Sequence, residues 1–305
     1  ATLVKHPLVK AVGFTGSING GRALYDLAAQ RSEPIPVFAE MGSVNPVVLL
    51  PNSLAENSEK WANSLAGSIT LGAGQFCTNP GLLLGIKGKD LTKFSEELAT
   101  AIEKIAPSCM LHPTIKSNFE KGSENRSSQS AVSKVAQYQG NIPPNYGSQT
   151  VLTVDGKIFL ENKTLSHEVF GPFSIIVQCD DEAQLLKIIA NLEGQLTGTI
   201  IGETKELEHY KNVVAAMQNR VGRLIFNGVP TGVEVCPAMI HGGPYPASTD
   251  SRFTSVGIDA IYRWVRPFSY QNWPNELLPL ELQNENPLGI LRKVDGFSTK
   301  DGIGK

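Results

Sequence analysis

The sequence predicts an α/β protein with a mostly parallel sheet covered by helices. Short apolar runs bounded by Gly, Pro, Asn or Asp alternate with stretches of helical periodicity over much of the chain. The first such group, over residues 9–39, reads strand, glycine-containing turn, helix, strand, which is a βαβ-like unit. The 305 residues are 41% hydrophobic and 18% charged, a globular composition with length for one large or two ordinary domains.

In chain order, residues 9–14 form an apolar run that ends in Thr15-Gly16-Ser17. A helix follows over about 18–30, with Leu24, Leu27 and Ala28 on one face. Residues 36–39 and 46–50 read as strands. Ser53-Leu54-Ala55-Glu56 has the form of a capping box and opens a helix carrying Trp61, Leu65 and Ile69. Gly72-Ala73-Gly74-Gln75-Phe76-Cys77-Thr78-Asn79-Pro80-Gly81 then describes a tight turn. Asp90 caps a helix with Leu91, Phe94, Leu98, Ile102 and Ile105 in one stripe. Residues 107–165, rich in Ser, Gly, Asn and Pro, read as several loops. Alternation returns with a strand over 173–179, a helix over 181–192, a strand over 196–201, a helix over 204–221 stopped at Gly222, and a strand over 223–227. Beyond 228 the chain is loop-rich, and residues 263–270 form the last strand.

Composition excludes several classes. The net charge is −2 and no Lys/Arg run occurs, so no nucleic-acid partner is expected. No apolar stretch approaches the roughly 20 residues of a spanning helix, and the N-terminus lacks a signal-peptide pattern, so the reading is cytoplasmic with no membrane partner. The four cysteines, at 77, 109, 179 and 236, are scattered without a C-x-x-C pair, so neither a disulfide framework nor a metal site is expected. The chain opens at Ala1 directly into Leu3-Val4-Lys5-His6-Pro7, which reads as the middle of a longer sequence.

Cys77 is the sharpest chemical candidate, because a glycine-flanked turn offers backbone N–H groups and an open approach to a thiol nucleophile. The plain alternative is a buried structural cysteine. Glu40 ends an apolar strand beside Met41-Gly42, where α/β proteins bind ligands. Its alternative is a solvated strand end. Gly16 and Ser17 precede a helix whose N-terminus suits a phosphate, although G-x-G-x-x-G is absent and the alternative is an ordinary helix cap. Glu168 and Phe170, before Gly171-Pro172, have the means to hold a ribose and stack on a ring. His241-Gly242-Gly243-Pro244 offers an exposed His, but a serine hydrolase would need the missing G-x-S-x-G.

Together these segments resemble the aldehyde dehydrogenase superfamily, in order and spacing. Phe14-Thr15-Gly16-Ser17 looks like its cofactor-binding turn, and Glu40-Met41-Gly42-Ser43-Val44-Asn45-Pro46 like its general-base signature. Gly74-Gln75-Phe76-Cys77 looks like its nucleophile signature, and Glu168-Val169-Phe170-Gly171-Pro172 like the segment that holds the nicotinamide riboside. Phe76-Cys77-Thr78-Asn79-Pro80-Gly81, the 227–235 segment and His241-Gly242-Gly243-Pro244-Tyr245-Pro246-Ala247 are similar to the 2,5-dioxovalerate (α-ketoglutaric semialdehyde) dehydrogenase branch. The NADP-dependent fatty aldehyde dehydrogenases share them. Met41 and Ser43 depart from the general pattern and also match this branch.

The resemblance implies NAD or NADP as cofactor and a small-molecule aldehyde as substrate. Cys77 would attack the aldehyde, hydride would leave to the nicotinamide, and Glu40 would activate the water that releases the acid. It implies the remnant of a Rossmann-like dinucleotide-binding domain over 1–47, a catalytic domain over 48–245, and a segment over 246–305 whose strand serves a homo-oligomer. The oxyanion Asn of the family would lie before Ala1, with Asn45 and Asn79 tied to other motifs. The 305 residues alone are therefore expected to bind cofactor poorly and to be inactive. Arg252 is a candidate partner for a substrate carboxylate, against a surface-loop alternative. Two competing readings are a non-catalytic protein on the same scaffold and an esterase using Cys77 and His241.

Overall fold

The computed structural model describes residues 1–234 and 236–304; Val235, in the 227–235 segment, lies outside them. Residues 1–263 form one compact unit, and the remainder, from Trp264, a second.

The first unit runs α1 (Thr2–Lys5), β1 (Val12–Thr15), α2 (Ile18–Ala29), β2 (Val37–Glu40), β3 (Val47–Leu49), α3 (Pro51–Thr70), a 3-10 turn Leu71–Gly74 and β4 (Leu82–Ile86). It continues through α4 (Lys89–Lys104), β5 (Ser108–Cys109), α5 (Pro113–Ser127), β6 (Val132–Gln137), β7 (Tyr146–Gly147), β8 (Thr150–Asp155) and α6 (Gly156–Glu161). After β9 (Phe173–Cys179) come α7 (Glu182–Asn191), β10 (Gln195–Ile201), α8 (Thr204–His209), α9 (Lys211–Gln218) and β11 (Val221–Phe226).

Seven strands make the main sheet, in the order β11-β10-β3-β4-β9-β8-β6. All its pairs are parallel except β6 with β8. Successive residues of a strand face opposite sides, and the core follows that period. Val47, Leu49, Leu83 and Ile176 join Trp61, Leu65, Phe94 and Leu98 of α3 and α4 on one face. Val48, Leu82, Leu84, Ile175 and Val177 join Leu185, Ile189, Val213 and Met217 of α7 and α9 on the other. Both faces are covered, as a parallel sheet requires. β1 and β2 form a separate parallel pair, packed with Val4 and Ala28.

Several boundaries differ from the sequence reading. Helix α3 starts at Pro51, and Ser53 lies inside it, where its hydroxyl accepts the Trp61 indole N–H at 3.0 Å instead of capping. Gly88 precedes α4, which leaves Asp90 in the first turn. The region 107–165 holds α5, β6, β7, β8 and α6; its polar, weakly patterned sequence hid them because α5 buries only Phe119 and β6 is a sheet edge. The helix expected over 204–221 is two, broken at Tyr210, and Gly222 lies inside β11.

The strand expected over 263–270 is not formed. Arg263 ends a 3-10 turn, Ile258–Arg263, and residues 264–270 carry no regular element and are exposed. An extended apolar stretch becomes a strand only where a partner completes its ladder, and Pro267 removes one donor. The second unit holds a 3-10 turn, Asn275–Leu277, and the hairpin of Arg292–Val294 with Phe297–Thr299.

Candidate active site

Because β1 and β2 are parallel, their carboxyl ends lie side by side, with Thr15 in register with Glu40. The Gly16 N–H donates to the Glu40 carbonyl at 3.1 Å. Ser17 then caps α2, its hydroxyl accepting the Gly20 N–H at 3.2 Å. This is the crevice position in which open α/β sheets bind ligands.

Cys77 sits in the turn that closes α3. Gly72, Ala73 and Gly74 have φ of 56°, 57° and 65°, so the helix ends in a left-handed run before Cys77. Gly74 also presses on the Gly171 backbone, where a Cβ would collide. The turn is fastened from below by Asn45, itself fully buried with φ of 47°. Its amide donates to the carbonyls of Cys77 and Asn79, both at 2.9 Å. Its carbonyl oxygen accepts from Ser43 Oγ at 2.8 Å and Thr197 Oγ1 at 3.0 Å. Asn79 donates to the Gly171 carbonyl at 2.8 Å. Both amides are engaged in holding the turn. Gln195, which sequence reasoning missed, accepts from Val44 N at 2.6 Å through Oε1, an oxygen that also lies 2.9 Å from Ser43 Oγ as the alternative acceptor for its one hydrogen.

The structure joins Cys77 and Glu40 through His241. The Cys77 sulfur is 3.4 Å from His241 Nε2, and the same nitrogen is 3.2 Å from Glu40 Oε1. Ser255 Oγ donates to Glu40 Oε2 at 2.8 Å. His241 is 5% exposed, not the exposed side chain expected. Its backbone is pinned by Thr254 Oγ1, which accepts its N–H at 2.9 Å, and by Ser255 N, which donates to its carbonyl at 2.8 Å. The chain after His241 runs beside β2: Met41 N donates to the Ala247 carbonyl at 2.8 Å, and Thr249 N to that of Ala39 at 2.9 Å.

The electrostatics follow from these contacts. Burial opposes charge on His241, but its bonds to Cys77 and Glu40 outweigh that and push it up to about 9. Burial likewise works against the Glu40 carboxylate, and the bonds from His241 and Ser255 outweigh it, so Glu40 lies below the usual carboxylate range. At neutral pH the pair is therefore imidazolium and carboxylate. Burial pushes Cys179 up to about 12, which keeps it a protonated core thiol.

A cleft of about 740 Å³ opens on Cys77, and Gly16, Ser17, Glu168 and Phe170 line it. The sequence-derived residues from four segments thus meet in one place, with Glu40 behind Cys77 beside His241 and Ser255. Asn118, Gly122 and Arg126 of α5 also line the cleft; they were missed because α5 was read as loop. Gly42 makes room for Glu168, whose Oε2 would lie 2.7 Å from a Cβ placed there. Burial pushes the Glu168 carboxyl up to about 7, partly offset by a long 3.4 Å bond from Ser43 N. Phe170 presents an exposed ring to the cleft. Arg252 does not line it; its guanidinium is 80% exposed and pairs with Asp250 at 2.5 Å.

Residues 1–255 match the model of the aldehyde dehydrogenase family. The chain is 43% identical over 302 residues to the alpha-ketoglutaric semialdehyde dehydrogenase of Acinetobacter baylyi, across 99% of this chain and 57% of that protein. It is 44% identical over 294 residues to alpha-ketoglutaric semialdehyde dehydrogenase 2 of Azospirillum brasilense, across 96% of this chain and 56% of that one. The chain spans a little over half the length of these relatives. Its fold is similar to a putative methylmalonate-semialdehyde dehydrogenase of Sinorhizobium meliloti complexed with NAD, with TM-score 0.72 and 17% identity over 89% of this chain and 55% of that one. It is also similar to the succinic semialdehyde dehydrogenase of Streptococcus pyogenes in complex with NADP+, with TM-score 0.67 and 20% identity over 81% and 53%.

Proposed function

This chain belongs to the aldehyde dehydrogenase family, and we propose that its protein oxidises 2,5-dioxopentanoate, the α-ketoglutaric semialdehyde, to the carboxylate through a Cys77 thioester. The observation that carries the reading is one juxtaposition. Cys77 opens on the cleft lined by Gly16, Ser17, Glu168 and Phe170, while Glu40 stands behind it on His241. The substrate rests on the two relatives at 43% and 44% identity that carry that activity in their names.

The residues present fit NAD or NADP. The start of α2 offers the N–H groups that suit a phosphate, Glu168 has a carboxylate for a ribose hydroxyl, and Phe170 has a free ring face toward the cleft. When bound, the cofactor supplies the hydride acceptor. Everything else falls to the protein. The Cys77 sulfur, as the thiolate, bonds to the aldehyde carbon, and the carbonyl oxygen takes the electron pair of the broken π bond. Loss of hydride from that carbon leaves the thioester. Glu40 takes a proton from water, whose oxygen attacks the thioester carbon and expels the Cys77 thiolate. His241, a cation facing both sulfur and carboxylate, holds Glu40 in its charged, proton-accepting form.

The test is an assay of the full-length protein with 2,5-dioxopentanoate and a long-chain aldehyde, each with NAD and with NADP. Turnover with the semialdehyde is expected, with Cys77→Ser lowering it at least about a thousandfold. Glu40→Gln should release one equivalent of reduced cofactor and then stall as the thioester. Preference for the long-chain aldehyde would replace the substrate, and no aldehyde-dependent reduction would overturn the reading. A second reading, a thiol esterase, is favoured by the 3.4 Å Cys77–His241 contact. It predicts cofactor-free ester hydrolysis abolished by His241→Ala.

A further inference from the structure

We infer that Cys77, His241 and Glu40 form a binding site for a soft or borderline divalent cation, zinc(II) first, and that occupancy blocks the nucleophile. The site itself rests on geometry alone; only the word "blocks" rests on the function proposed above.

The three side chains offer one sulfur, one imidazole nitrogen and one carboxylate oxygen, all within 4.8 Å of one another. In tetrahedral zinc sites, metal–sulfur bonds of about 2.3 Å and metal–nitrogen or –oxygen bonds of about 2.0–2.2 Å put neighbouring ligand atoms about 3.3–3.6 Å apart. Here sulfur and Nε2 are 3.4 Å apart, and Nε2 and Oε1 are 3.2 Å apart. Two of the three donor pairs therefore already stand near the edge length of a coordination tetrahedron, and the third pair, within 4.8 Å, closes onto a cation by a shift of about an ångström. Two of the three are buried, and Ser255 and Thr254 hold the carboxylate and the His241 backbone in place. Such preorganisation removes ordering cost that a flexible surface trio would carry. Cys77 is half-buried on the 740 Å³ cleft, which gives the ion an entrance.

Three protein ligands leave a fourth position for water, the arrangement of an open site rather than of a closed structural one. Arg263, which donates to the carbonyl of Ser255 at 3.0 Å, is a cation beside the site and weakens the hold further. Among the described residues His241 Nδ1 is buried without a partner, so the ring lacks the outer hydrogen bond that raises ligand basicity in resident metal centres. All three features describe a reversible inhibitory site rather than a structural one. On binding, the Cys77 thiol and the His241 imidazolium each release a proton to solvent, metal–sulfur and metal–nitrogen bonds form, and no electron is transferred.

Cobalt(II) is the probe, since a thiolate on tetrahedral cobalt gives a near-ultraviolet charge-transfer band beside intense visible bands. One equivalent added to the full-length protein should give both, with displacement by zinc(II) and loss on adding EDTA. Cys77→Ser should lose the charge-transfer band. His241→Gln should weaken binding at least tenfold, and Cys109→Ser should change nothing. Circular dichroism verifies that each variant is folded. In the native protein, one equivalent of zinc(II) should slow iodoacetamide labelling of Cys77 at least tenfold while that of exposed Cys109 continues. A charge-transfer band that survives in Cys77→Ser, or no band in the native protein, overturns the site. Cobalt binding as described in a protein with no aldehyde-dependent activity would keep the site and remove the function, and the reverse result would do the opposite.

Discussion

His241 shows how much one side chain contributes to this centre. Its Nε2 faces both Cys77 and Glu40, and its pKa of about 9 stands above the ordinary 6.5 because the bonds to those groups outweigh burial. A histidine with a raised folded pKa adds stability that is complete below 6.5 and is lost as pH rises through about 9. Glu40, held below the ordinary 4.5, adds stability that is present above 4.5 and lost as pH falls through its lowered value. The charged pair thus works between those limits. We expect the melting temperature of the native protein to fall between pH 6.5 and 9 more steeply than that of His241→Gln. Equal slopes, measured by calorimetry, would show that His241 does not hold its proton as described.

At the scale of elements, the placing of Cys77 depends on a joint between β3, β10 and the turn after α3. Asn45, just before β3, bonds the turn carbonyls of Cys77 and Asn79 and also Thr197 of β10. Ser43 and Gln195 complete the same buried network. Replacing Asn45 by Ala removes one side chain and leaves several buried polar groups without partners, each worth about 1–3 kcal/mol. Asn45→Ala is expected to lower stability by about 3 kcal/mol or more, read from chemical denaturation. Cys77, expected in the native protein to alkylate faster than Cys109, should also lose that lead in the variant, because the turn no longer holds one shape. A loss of stability with unchanged labelling rates would separate the network from the nucleophile.

At the scale of the whole molecule, the first unit has a sheet covered on both faces, whereas the second has short elements and many exposed apolar side chains, Trp264, Phe268 and Trp273 among them. Residues 264–270 have neither helix nor ladder bonds to protect their backbone. Limited chymotrypsin treatment is expected to cut first after Trp264, Phe268 or Tyr270, leaving the 1–263 sheet intact, as mass spectrometry would read. Early cuts within β3, β4 or β9 would contradict the division into units. Much of this molecule was legible before folding was considered. The strand–helix alternation, the glycine turn around Cys77, the strand end at Glu40, and Ser17 capping α2 are each written within a few neighbouring residues, because backbone angles, caps and hydrophobic period are local properties. The elements of 107–165 were not legible, since helix α5 and edge strand β6 bury little and so carry little pattern. The 263–270 strand failed for the converse reason, as apolar sequence supplies no ladder partner. The sequence by itself determined the candidates for the chemistry, Cys77 and Glu40 first among them. Only the tertiary structure decided that His241, 164 residues from Cys77 and 201 from Glu40, stands between them. That meeting depends on residues 247–249 lying along β2, a long-range pairing that no local pattern encodes.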